Sequence, residues 1–184
     1  MKTIVSILFL IFLFSSVNAI GHKIRFMGGA SYLFLNEFNG STSVGPHAGF
    51  EITYILTPKT KLINTEMSIG TLYHYYPGNP ANMQTIKFGL GIRVHLNISD
   101  SIRPYFDHQV HSGIVSFIGN EGYAQAYMIK LGLGADFPLF PDVGKESDSI
   151  FFDISYNFFH LNYFGQNEKK MGYLGLNIGY SLCL

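Results

Sequence analysis

Three groups of side chains in this sequence could do chemistry. His160 lies near the end of the run Tyr156-Asn157-Phe158-Phe159-His160-Leu161-Asn162. An imidazole there could take a proton from a nucleophile two residues on, but that position holds Asn162. Serine-type ester hydrolysis needs a hydroxyl, a base and an acid that orients the base. His47, His95 and His111 form a second group. Their spacing fits no zinc or copper motif, so neither a metal nor another cofactor is expected. Glu51 and Glu66 are a third group and could act as paired carboxylates. An ion-pair network with Lys87 and Arg93 is the simpler expectation for them.

The elements that carry these residues follow from alternation. From Thr85 to Asn97, Ile86, Phe88, Leu90, Ile92, Val94 and Leu96 share one face of an extended strand. Lys87, Gly89, Gly91, Arg93 and His95 share the other, because strand side chains repeat with period two. Leu174 to Leu184 repeats the pattern, with Gly175, Asn177, Gly179 and Ser181 opposite the apolar set. The segments around Glu51 and Lys130 do the same. Ile24–Leu35, Leu62–Tyr73 and Phe152–Asn162 alternate less cleanly. Ile102–Gly113 is the weakest, yet it places Tyr105, Asp107, Gln109 and His111 on one face. Turn residues near 40, 58, 78, 98, 120, 142 and 167 separate eight candidate strands.

Composition decides what kind of strand protein this is. Charged residues make up 13% of the chain, aromatics 16%, and there are 20 glycines. Met1–Ala19 has a lysine, a short apolar core and small residues at its end, and reads as a secretory signal peptide. A retained anchor is the alternative. Residues 20–184 then form one domain with 11 basic and 12 acidic residues and a lone Cys183. No basic cluster calls for a nucleic acid, and no internal disulfide is possible.

Glycine mixed with single charges is a poor choice for a solvated strand surface, and a good one for the crowded bore of an eight-strand barrel. The expected fold is therefore all-β: a closed, antiparallel, up-and-down transmembrane barrel of about eight strands, apolar outside and charged inside. Glu51, Glu66, Lys87, Arg93, Lys130 and Asp136 are expected to pair in the bore. Tyr32, Tyr73, Tyr75, Tyr76, Tyr105, Tyr123, Tyr127, Tyr163 and Tyr180 are expected to form rim girdles. A soluble barrel with a ligand at its mouth is the alternative.

On these residues the chain resembles the small eight-stranded outer-membrane proteins of bacteria. Tyr180, Leu182 and Leu184, two apart at the end of the chain, look like the strand read by the outer-membrane assembly machinery; that family usually ends in Phe. The resemblance implies outer-membrane lipid and lipopolysaccharide as surroundings, with a monomer as the simplest state. The run ending in His160 and Asn162, with Arg103-Pro104-Tyr105, also resembles the outer-membrane lipid A deacylases. Those esterases carry a His-x-Ser-Asn motif directed toward lipid and an acid on the last strand. Here Asn162 and Tyr163 replace Ser-Asn, and Leu174 stands where the acid is needed. The resemblance therefore implies a non-catalytic barrel with a structural, adhesive or recognition role. A hydrolase acting through His160 is the rival reading.

Overall fold

A computed structural model of the chain describes residues 20–36, 43–58, 62–77, 82–118, 123–140, 147–163 and 169–184. Residues 1–19, expected to be a signal segment, and the loops expected near 40, 78, 120 and 167 lie outside these. Eight strands follow in order: β1 (Gly21–Asn36), β2 (Ser43–Ile55), β3 (Ile63–Tyr76), β4 (Asn82–Leu96), β5 (Arg103–Ile118), β6 (Tyr123–Pro138), β7 (Ser149–Tyr163) and β8 (Lys169–Cys183). Each pairs antiparallel with its sequence neighbours, and β1 also pairs with β8, so the sheet closes as a barrel.

Alternation sets which way every side chain points. On β4, Ile86 is 62% exposed while the adjacent Lys87 is 1% exposed. The same inversion runs round the cylinder: Phe26, Phe50, Phe106, Leu131, Ile154 and Leu176 stand on the outer surface, while Arg25, Glu51, Asp107, Lys130, Asp153 and Asn177 are buried in the bore. An apolar exterior around a charged interior is an arrangement for lipid, where closure satisfies every strand hydrogen bond.

Two prolines fit without breaking the ladder. Register between β2 and β3 begins at His47↔His74, so Pro46 pairs only with Ala30 of β1. Register between β4 and β5 ends at His95↔Tyr105, leaving Pro104 beside Ala135 of β6 alone. Each missing N–H falls where the strand has a single registered neighbour, which is where a sheet tolerates proline.

The tyrosine girdle needs correction. Tyr76 and Tyr105 are each only 3% exposed and point into the bore. Both sit on strand positions whose parity is inward, and the fixed direction of a strand side chain overrides the general preference of tyrosine for a membrane interface. Tyr32, Tyr73 and Tyr123 do stand on the outside.

Candidate functional site

The bore divides into two chemically different halves. In the half nearer the chain termini, Lys23 Nζ reaches Glu66 at 2.6 Å and Arg25 Nη2 reaches Asp136 at 3.1 Å. Toward the middle, Arg93 Nη2 lies 3.0 Å from Glu51 and 3.4 Å from Asp107. Lys130 donates to Asp107 at 2.8 Å. Gln109 Nε2 joins these carboxylates, donating to Glu51 at 2.6 Å and Asp107 at 2.9 Å. Glu51 and Glu66 are thus held by cations, and their ion-pair reading stands; Arg93 ties both, lying 3.7 Å from Glu66.

Lys87 departs from expectation. No carboxylate among the described residues pairs with it. Its ammonium donates to Tyr173 Oη at 3.2 Å and to Met128 Sδ at 3.3 Å, and it stands over the rings of Phe159 and Tyr173 at 4.4 and 4.9 Å. Parity placed it correctly in the bore. It could not show that the strand levels bring aromatic faces and a thioether, rather than an acid, to its end.

The half farther from the termini holds an imidazole cluster. Asn177 Nδ2 donates to Asp153, which turns Asn177 Oδ1 toward His47 Nε2. An amide oxygen only accepts, so His47 carries its proton on Nε2, and its bare Nδ1 accepts from Ser31 Oγ at 2.7 Å. Ser31 also lies 3.2 Å from His74 Nδ1, and His74 Nε2 lies 3.4 Å from Tyr173 Oη. A hydroxyl bonded to a free imidazole nitrogen that an amide orients is chemically the activation of a nucleophile. Ser31 is 0% exposed, however, and both imidazoles that touch it are buried. The neighbouring cavity, lined by His47, His74, His111, Asn157 and Tyr173, has room for about one water. Here the chain Asp153–Asn177–His47–Ser31 joins β7, β8, β2 and β1. His47 and His111 were legible as bore residues; Ser31 and Asp153 were missed, although the parity of Lys23 and Arg25 extends straight to Ser31.

His95 lies at the other end of the bore, with Nε2 3.1 Å from Glu66. The three histidines singled out in the sequence are therefore not one constellation, and among the described residues no group of metal-binding side chains converges.

His160 lies on β7, half-buried, and continues the outward series Phe152, Ile154, Tyr156 and Phe158. Its register partners are Tyr127 on β6 and Lys170 on β8. Asn162 follows on the same strand with its backbone opposite Gln125; its side chain lies outside the described residues. Leu174 points outward from β8 at 46% exposure, so its position supplies no acid at the surface.

No family model matches the sequence, and neither does any curated protein. Solved structures do match in shape. Neisserial surface protein A superposes with a TM-score of 0.65 at 10% identity, over 88% of this chain and 96% of that one. The fold is that of the small outer-membrane barrels. The outer membrane enzyme PagL gives a TM-score of 0.54 at 13% identity, covering 87% of this chain and 98% of its own. The outer membrane protein OprG from Pseudomonas aeruginosa gives 0.51 at 13%, covering 91% and 97%. A surface protein and an enzyme thus share this architecture, so function rests on side chains.

Proposed function

We propose that the chain is a sealed, non-catalytic barrel of the bacterial outer membrane, acting as a structural or recognition element through the loops at the end away from its termini. The filled bore carries this reading. Arg25, Arg93, Arg103, Lys23, Lys87, Phe151 and Phe159 are among its fully buried side chains, and the cavity beside the imidazole cluster is of water size. An eight-strand bore filled by its own side chains is not a diffusion channel.

The rival is an esterase acting on lipid A at the membrane surface, and one observation favours it: His160 continues the outward face at the end of β7. Against it stand Asn162 at the nucleophile position and Leu174 in place of an acid. Purified protein refolded in detergent, incubated with lipid A and analysed by mass spectrometry, separates the two. We expect intact lipid A. Acyl release that disappears in His160→Ala would establish the esterase. In planar bilayers we expect no porin-like conductance steps, and regular steps would refute the sealed bore.

A further inference from the structure

Histidines at the two ends of the bore meet opposite charge. His95, in the half nearer the termini, has Glu66 at 3.1 Å and Asp136 at 3.7 Å. A charge on its ring would stand between two carboxylates. His74, in the half farther from the termini, pairs with no carboxylate among the described residues. Its ring is buried against His47, Tyr76 and Tyr173, with ring centres 4.9, 5.8 and 5.1 Å away. The charged groups that act on it most strongly are the ammoniums of Lys87 on β4 and Lys130 on β6, beside the imidazoles of His47 on β2 and His111 on β5. Ser31 on β1 and Tyr173 on β8 offer only hydroxyls. The Asp153 carboxylate of β7 is engaged through Asn177 with His47, while Glu51 and Asp107 are held by Arg93 farther down the bore. Toward the outer strand ends the bore is filled by Leu33, Tyr76, Met83 and Met171, all buried. That apolar cap screens His74 from solvent on its outer side.

Hydrogen bonds tie this ring into a chain that crosses the bore. Lys87 donates to Tyr173 Oη at 3.2 Å, and Tyr173 Oη lies 3.4 Å from His74 Nε2. On its other side His74 Nδ1 lies 3.2 Å from Ser31 Oγ and 3.1 Å from Tyr76 Oη. Ser31 gives its one proton to the bare Nδ1 of His47. A neutral imidazole has one N–H and one bare nitrogen, so the bare nitrogen of His74 accepts from a tyrosine in either tautomer. Tyr76 serves at Nδ1, or Tyr173 at Nε2. A protonated His74 donates from both nitrogens, and that tyrosine must turn its O–H away. At Tyr173 an imidazolium and the Lys87 ammonium would then be directed at a single oxygen. The new charge would be buried with no carboxylate to offset it, which is costly.

We propose that His74 is the trigger of an acid-sensitive latch: a proton taken up by its ring loosens the bonds that join β3 to β1, β4 and β8 across the outer half of the bore, while the ion-paired half nearer the termini stays closed. In the closed form the ring is neutral. In the loosened form water reaches it and it carries a charge. The loosened form therefore binds one more proton, and acid favours it, by up to about tenfold per pH unit through the titration. Tyr76, which bonds to His74, is the last residue of β3, so the loosening reaches the outer end of that strand. Protonated histidine clusters are a general means of biasing a two-state element. The latch requires the closed barrel and holds for either reading of its function.

The test uses the refolded full barrel in detergent micelles. Amide hydrogen exchange is followed residue by residue by NMR from about pH 7.5 to about pH 4, a range that spans ordinary imidazole titration. After correction for the intrinsic pH dependence of exchange, protection at Ser31, His74 and Tyr173 should fall by about tenfold or more, while that at Glu66 and Asp136 stays nearly constant. His74→Gln, which bonds without titrating, should abolish the fall. Lys87→Met, which removes the adjacent cation, should reduce it, and His95→Gln should leave it as in the native chain. Unchanged protection at His74 in the native barrel, a fall that survives His74→Gln, or a loss spread evenly over both halves would overturn the proposal. Should His74→Gln not refold, Lys87→Met decides, and an undiminished fall in that variant overturns it.

Discussion

At Asp107 two cations share one carboxylate, Lys130 at 2.8 Å and Arg93 at 3.4 Å, and none of the three is more than 4% exposed. Replacing this buried acid by its amide leaves Lys130 with only Asp153 at 3.9 Å and Arg93 with Glu51 and Glu66, a net excess of positive charge in a medium that solvates it poorly. Asp107→Asn should therefore cost about 3–5 kcal/mol, read as a lower urea midpoint for the refolded barrel. An unchanged midpoint would mean that the network contributes nothing to stability. Glycine in the bore gives a second contrast. A Cβ at Gly113 would come within 2.1 Å of the Ile86 carbonyl oxygen and 2.7 Å of Lys87 Cα, both backbone atoms of β4. At Gly132 the nearest atom is 3.4 Å away. Gly113→Ala should cost about 1–3 kcal/mol through overpacking, and Gly132→Ala should leave the thermal midpoint almost unchanged. The sequence shows that both glycines face inward. It does not show which of them abuts a neighbouring backbone, since that depends on the height at which adjacent strands pair.

At the scale of elements, the ends of β8 and β7 are fastened by one side chain outside the strands. Asp148 accepts a hydrogen bond from the Tyr180 hydroxyl and another from the backbone N–H of Cys183 at 2.9 Å. These donors, the tyrosine foremost, hold its carboxyl below the ordinary carboxylate range. A depressed folded value means that the fastening is fully present above about pH 4, the unfolded value, and is lost as pH falls through the lower folded one. Asp148→Asn should lower the heat resistance of the barrel at neutral pH and flatten its decline on acidification. A variant that declines in parallel with the native chain would show that other carboxyls control the acid response. All eight strands were legible from period-two alternation, because a lipid-facing wall demands an apolar residue at every second position. β5 was the hardest to read, and its irregularity has a cause: His108 and Ser112 interrupt the outward apolar series of Phe106, Val110 and Ile114. Strand ends were read short, since β1 and β5 extend to 16 residues beyond the band in which lipid enforces the pattern.

Taken whole, the described barrel is an apolar cylinder, and it should stay folded only with an amphiphile present. A monodisperse, folded sample in plain buffer would contradict the outward placement of Phe26, Phe88 and Leu133. The esterase question was legible only in part. The missing hydroxyl and acid can be read from Asn162 and Leu174, whereas the Ser31–His47–Asn177 relay joins residues up to 146 positions apart, and only closure of the sheet brings them together. Closure has a mechanical consequence as well. Lys87 of β4 bonds across to Tyr173 of β8, and Arg25 of β1 bonds across to Asp136 of β6. Such links run through the bore like the spokes of a wheel, so squeezing the cylinder toward an ellipse must stretch some of them while compressing others. The tube resists flattening under the sideways pressure of the bilayer, and prising β1 from β8 would mean unbuckling its hub as well as its seam.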